Sequence, residues 1–239
     1  MTMTAPIPTP VAEPDIRDEI PPLENGDRLS RAEFERRYHA MPAEKKAELI
    51  EGTVYMSSPV SIRRHATPHA HLSGLLFHYV RRTPGVVLGD NGTVRLDLDN
   101  EPQPDLFLAI PAEAGGQAVI GDDDYLEGAP ELVAEIAASS VSIDLNDKLH
   151  AYQRNGVREY VVWRTLDRVV DWFKLTDDVF RATTPDEQGV FRSSVFPGLA
   201  LRPADLLERN LDAICELIDA SVKTPEHAAF VKNLASASA

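Results

Sequence analysis

Gly128 to Trp163 reads GAPELVAEIAASSVSIDLNDKLHAYQRNGVREYVVW, and the fold turns on this stretch. Its first apolar run, Leu132 to Ala137, has the length and aliphatic content of a buried strand. One carboxylate, Glu135, interrupts it where another aliphatic residue is expected. After a Ser-rich turn, Leu145, Leu149 and Tyr152 recur at three- and four-residue steps, which places them on one face of a helix running from about Asp144 to Asn155. Lys148 sits on that same face. Gly156 ends the helix, and Arg158 to Trp163 has the β-branched and aromatic character of a second buried strand. Strand, helix and strand in that order predict two parallel strands joined by a right-handed crossover. A glutamate inside a strand and a lysine on an apolar helix face each lose hydration when buried, and each compensates the other if they meet.

On the N-terminal side, Met1 to about Glu24 is rich in Pro, Thr and acidic residues without a period that buries a face, which predicts a disordered arm over residues 1–24. Ser30 with Glu33 matches a capping box ahead of a short helix from Arg31 to His39. Ala47 to Met56 reads as a hairpin turned at Glu51-Gly52. From His65 or Pro68 to Arg82, Leu72, Leu75, Leu76, Tyr79 and Val80 fall at helical spacing. Strands are expected at Val86 to Leu88, Thr93 to Leu96 and Leu106 to Ile110, the last approached through the extended Pro102 and Pro104. Pro111 to Gly128 reads as a surface loop.

Beyond Trp163, Arg168 to Leu175 and Val179 to Thr183 form a hairpin pattern around Asp177-Asp178, and a strand-like piece near Val190 to Val195 precedes Pro197-Gly198. Ala204 to Val222 reads as a helix with a break near Asn210. The domain therefore spans 25–222, and the Ala/Ser-rich residues 223–239 are expected to fray as a flexible tail.

The 239 residues carry 24 basic against 38 acidic side chains, a net charge of −14, so affinity for nucleic acid requires a local basic surface. One cysteine, Cys215, excludes an intrachain disulfide and a multi-Cys zinc cluster. MTMTAPIPTP lacks the charged-then-apolar pattern of a secretory signal, and no apolar run approaches the ~20 residues that span a bilayer. These features point to a soluble cytoplasmic protein with no membrane partner.

Four ionisable residues stand in or beside apolar segments: Glu48, Asp105, Glu135 and Lys148. Three carboxylates converging at strand ends would make a hard oxygen site for Mg²⁺ or Mn²⁺, with the lysine beside it. Other residues read more plainly. Asp144 with Asp147 looks like a helix N-cap pair, and Tyr152 looks like core with its hydroxyl at the edge of a polar site. His65, His69 and His71 are separated in register by Pro68, which argues against a metal cluster. Glu51 falls in the exposed turn. Arg63, Arg64, Arg81 and Arg82 bracket one helix, where charged ends ordinarily face water but are also placed to meet a DNA backbone.

The chain resembles the Uma family of restriction endonucleases, within the PD-(D/E)XK nuclease superfamily, from roughly Ser30 to Leu207. The resemblance is carried by Glu48-Leu-Ile-Glu-Gly52, Ser58-Pro59 with His65, Pro104-Asp105, Leu132-Val-Ala-Glu-Ile136 with Ser139, and the run Asp144, Lys148, Tyr152, Gly156-Val157 and Glu159-Tyr160, closed by Pro197-Gly198. It implies an α/β (α+β) fold with a restriction-endonuclease-like core, a mixed central sheet flanked by helices. It also implies Asp105 and Glu135 as metal ligands, Glu48 as an additional acid and Lys148 as the catalytic lysine. The usual signature has its lysine two residues after the glutamate, where this chain has Ala137, so the role falls to Lys148 on the helix. Thr53 stands where the family usually has a second acid, and Ala138 and Val141 replace parts of its Ser-Pro-Ser pattern.

Two readings follow. One is a Mg²⁺-dependent endonuclease acting on DNA, with two copies acting together if both strands are cut. The other is a nuclease-fold module without activity that binds a protein partner, favoured by the negative charge and the lack of a recognisable DNA-reading element. Under the first, Asp105→Asn or Lys148→Ala is expected to abolish metal-dependent nicking without lowering thermal stability.

Overall fold

The computed structural model describes residues 20–42 and 44–237. The first half gives α1 (Arg31–Tyr38), β1 (Ala47–Ile50), β2 (Thr53–Met56), α2 (Thr67–Arg82), β3 (Val87–Asp90), β4 (Val94–Arg95), β5 (Leu106–Ala109), β6 (Val119–Ile120) and β7 (Leu126–Glu127). The second gives β8 (Leu132–Ala137), α3 (Val141–Asp144), α4 (Asp147–Arg154), β9 (Glu159–Arg164), β10 (Val169–Thr176), β11 (Val179–Ala182), β12 (Phe191–Arg192), β13 (Ala200–Leu201), α5 (Pro203–Glu208), α6 (Leu211–Ser221) and α7 (Pro225–Ala237).

A six-stranded sheet in the order β11-β10-β9-β8-β5-β3 forms the centre. β8 and β9 pair in parallel, from Leu132 opposite Glu159 to Ala137 opposite Arg164, and the other neighbours are antiparallel. The sheet is thus mixed and is covered on both faces. Because side chains alternate along a strand, Leu132, Ala134 and Ile136 enter one core with Leu72, Leu75, Leu76, Ile214 and Ile218 of α2 and α6. Val133 and Ala137 enter the other, with Tyr152 of α4 and Tyr160, Val162 and Phe180. Glu135 has the parity of Val133 and Ala137, so it points to the face that α4 covers.

The two tight hairpins have the backbone their sequences ask for. Glu51 and Gly52 have φ of 50° and 69°, and Asp177 and Asp178 have 52° and 59°, the paired positive values of a two-residue turn matched to strand twist. A break at Arg209, whose φ is 60°, separates α5 from α6, close to the expected Asn210.

Several expectations are corrected. Ser30 leads α1 but makes no side-chain cap; Glu33 instead bonds Arg36 and Arg37, so the capping box is absent. The expected helix from Asp144 to Asn155 is two pieces, because Leu145 and Asn146 leave helical geometry. The loop from Pro111 to Gly128 contains β6 and β7, which join β4 in a three-stranded sheet. Within the expected flexible tail, Pro225–Ala237 is helical: α7 buries Leu234, and His227 bonds the hydroxyl of Thr83 at 3.0 Å. The expected N-terminal arm lies outside the described residues up to residue 19. Within its last part Leu23 is buried with Phe34, Leu49 and Val54.

Candidate active site

The sheet register brings the acids together. β5 runs antiparallel to β8 with Leu106 opposite Ala134, so the next pair along is Asp105 opposite Glu135. Backbone and side chains interlock there: the Ile136 N–H donates to Asp105 Oδ2 at 2.7 Å, and the Asp105 N–H donates to Glu135 Oε2 at 3.3 Å. From α4, Lys148 Nζ donates to Glu135 Oε1 at 2.9 Å, and the Tyr152 hydroxyl donates to the same oxygen at 3.0 Å. The i, i+4 spacing of Lys148 and Tyr152 places both over the carboxylate. Glu48, on β1, reaches Lys148 Nζ at 3.1 Å and accepts the Gln103 N–H at 2.7 Å. All four residues singled out in the sequence thus meet in one network, which borders a cleft of about 530 Å³.

Two further residues belong to it. Asp144 is not an N-cap: it is 2% exposed, accepts the Ser140 hydroxyl at 2.6 Å and lies 4.0 Å from Lys148 Nζ. Its companion Asp147 accepts the Tyr55 hydroxyl instead. The available signal for Asp144 was its place in the run Asp144, Lys148, Tyr152 that carries the family resemblance. His65 Nε2 lies 3.2 Å from Asp105 Oδ1. It sits in a π-helical turn over Ile62–Ala66 that runs directly into α2, so Pro68 does not separate the histidines, and the His65 and His69 rings stack with centroids 6.0 Å apart. His69 reaches the Asp105 carbonyl and Asp90. Glu51 is outside the network and pairs with Arg154.

The electrostatics follow from crowding in a dry place. Four carboxylates, those of Glu48, Asp105, Glu135 and Asp144, face Lys148 and His65, an excess of two negative charges when every group is ionised. Burial, reinforced by Asp105, Asp144 and Glu48, pushes Glu135 well above the usual carboxylate range although Lys148 opposes it. Burial likewise raises Asp144. Burial alone would lower Lys148, but Glu135, Glu48 and Asp144 outweigh it and hold the amine well above its ordinary value. The lysine therefore keeps its charge, and burial disposes both Glu135 and Asp144 toward the protonated form. Asp105 behaves oppositely: burial raises it, but the bond and charge of His65, the Ile136 N–H and Lys148 bring it below its ordinary value. His65 is raised by its bond to Asp105 against the effect of burial.

The donor set fits a hard divalent cation. Mg²⁺ is commonly bound by one or two carboxylates while water and substrate phosphate complete its shell, and Asp105 beside Glu135 offers that pair within a net negative pocket. Among the described residues no group of three or more His, Cys, Asp or Glu side chains is arranged to hold a metal, so the expected three-carboxylate cage is not formed. Glu48 is joined to the other acids through Lys148 rather than directly. Among the described residues, too, no helix is long and apolar enough to cross a membrane.

The comparisons with known proteins agree with this architecture. The model of the Uma2 family, described as "Putative restriction endonuclease", matches residues 31–204. No curated protein matches the chain. A crystal structure from Anabaena variabilis, described as a "putative nuclease belonging to DUF820", is similar with a TM-score of 0.56 at 15% identity, covering 72% of this chain and 96% of that one. That likeness establishes a shared fold. With the family match running through β1, β5, β8 and α4, the chain belongs to the Uma2 restriction-endonuclease family.

Proposed function

We propose that the protein is an endonuclease that hydrolyses DNA phosphodiester bonds with Mg²⁺ or Mn²⁺. The observation that carries the reading is the seating of Lys148 Nζ, 2.9 Å from Glu135 and 3.1 Å from Glu48, next to the Asp105–Glu135 pair on an open cleft. Asp105 and Glu135 are the residues that would hold the ion. When bound, it supplies activation of the attacking water and neutralisation of charge on the phosphoryl oxygens. The chain's own groups supply positioning. Tyr152 and Lys148 fix one oxygen of Glu135, and the Ile136 N–H fixes one oxygen of Asp105. His65 holds the other Asp105 oxygen. Glu48 and Asp144 keep Lys148 charged, so its ammonium is available to orient the water or to share charge developing on phosphorus.

The test is conversion of supercoiled plasmid and of circular single-stranded DNA in Mg²⁺ or Mn²⁺. The wild-type protein is expected to cut, while Glu135→Gln and Lys148→Ala fall by about 10²-fold or more, the usual effect of removing one preorganised group. Undiminished cutting by both variants would remove this site from the chemistry. A wild-type protein that cuts neither DNA would instead favour the inactive, partner-binding module.

A further inference from the structure

Resting on the nuclease reading, we propose that the cleft takes an unpaired DNA strand, with a splayed base against Val60 and Leu166, in preference to an intact duplex. The acting groups are recessed: Asp105, Glu135 and Lys148 retain only 9%, 3% and 6% of their exposure. A phosphate must descend to meet them. Duplex DNA is a stiff rod with a persistence length of about 150 base pairs, whereas a single strand bends freely into a cleft of this size.

The lining supplies the second argument. Val60 and Leu166 are 63% and 56% exposed, large apolar side chains left in water on the wall of the cleft. Exposed apolar residues scattered singly need no explanation, but two lining the same site do. Apolar side chains at nucleic-acid sites press against base faces that have lost their stacking partners. In an intact duplex those faces are covered and must first be unstacked, at a cost of a few kcal/mol per step. Thr165, next to Leu166, donates its hydroxyl to the Arg64 carbonyl at 2.7 Å, so this part of the wall is tied to the basic turn before α2.

Charge supplies the third. Besides Lys148 and His65, which are engaged by the recessed carboxylates, the basic residues lining the cleft are Lys46 and Arg64, and both are exposed. Among the described residues, no carboxylate forms an ion pair with either. Two cations on a chain of net charge −14 engage few phosphates, fewer than the roughly 6–10 typical of salt-sensitive duplex binders. The remaining affinity has to come from contacts to bases.

The test is fluorescence anisotropy of the full chain with a fluorescein-labelled 12-nucleotide single strand and with the same sequence as a hairpin duplex, Ca²⁺ replacing Mg²⁺. The single strand is expected to bind about tenfold tighter or more. Its log-affinity should fall with log salt at a slope of about −1.4, the value for two phosphate contacts on a single strand. Val60→Ser with Leu166→Ser removes the aliphatic surface a base would cover and should lose about tenfold for the single strand with an unchanged circular dichroism spectrum. Duplex binding as tight as single-strand binding, wild-type affinity in the double variant, or no binding of either DNA would each overturn the inference. The nicking assay separates the two levels. Cleavage with a duplex preference leaves the nuclease reading intact and rejects the strand preference. Tight single-strand binding without any metal-dependent cleavage rejects the nuclease reading and leaves the strand preference standing.

Discussion

Removing the amine of Lys148 should destabilise the fold more than neutralising its partner does. Lys148→Ala takes away the one ammonium that faces Glu135 at 2.9 Å, Glu48 at 3.1 Å and Asp144 at 4.0 Å. The side chains of Glu135 and Asp144 are 5% and 3% exposed, so water cannot replace the lost charge. Breaking a buried pair by deleting one member typically costs about 3–5 kcal/mol. Three things pull the figure to the lower end: Tyr152 and the Asp105 N–H still donate to Glu135, Ser140 still donates to Asp144, and Glu135 is already disposed to take a proton. We therefore expect a loss of about 3 kcal/mol. With a urea m-value of about 3 kcal/mol/M, the unfolding midpoint falls by about 1 M. Glu135→Gln keeps the shape and removes one charge from a crowded set, leaving Glu48 and Asp144 to hold the lysine. The introduced amide nitrogen leaves one of the three donors to Glu135 without an acceptor, so the change should cost about 1–2 kcal/mol, less than Lys148→Ala. Lys148→Ala is thus not the stability-neutral probe that the sequence suggests. The reasoning fails if urea unfolding finds Lys148→Ala as stable as the parent, or Glu135→Gln the less stable of the two.

Other expectations can be checked with the same tools. Tyr152→Phe deletes a fully buried donor to Glu135 and should cost about 1 kcal/mol by urea unfolding, with nicking reduced but present because Lys148 still holds the same oxygen. Gly89→Ala in β3 should destabilise by about 1–3 kcal/mol, since an added Cβ runs into the Phe107 ring; an unchanged melting temperature would contradict the packing. Burial, with Glu35 beside it, pushes the Glu101 carboxyl from 4.5 up to about 8 despite Arg95. The folded chain then holds a proton that the unfolded chain has released between those values, so stability falls as pH rises through that window. This group alone should remove about 4 kcal/mol between pH 5 and pH 9, and Glu101→Gln should flatten the profile; an unchanged slope in the variant would reject the assignment.

The limits of the β8 strand were legible because a six-residue apolar run bounded by Pro130 and Ser139 has few alternatives, and its single carboxylate marked the site before any contact was known. Lys148 and Tyr152 were legible for a similar reason, as polar atoms on an apolar helix face. What escaped depends on position in space. Asp144 looks like a cap until the backbone turns at Asn146 and carries it under Lys148, and nothing local announces that turn. His65 seemed out of register with His69 because a π-helical turn before Pro68 cannot be read from spacing at 3.6 residues per turn. The Ala/Ser-rich end forms α7 because Leu234 and His227 find a core that the other helices build. The three-stranded sheet joins segments too short to show a period, and its pairing rests on long-range contact.

The central claim is that Asp105 and Glu135 form the ion-holding pair, with Lys148 beside them. Anomalous diffraction from a crystal soaked in manganese tests it most directly. The account predicts a peak at coordination distance from the carboxylates of both Asp105 and Glu135, weakened by Glu135→Gln. A manganese peak elsewhere in the chain, with none between these two residues, would contradict it.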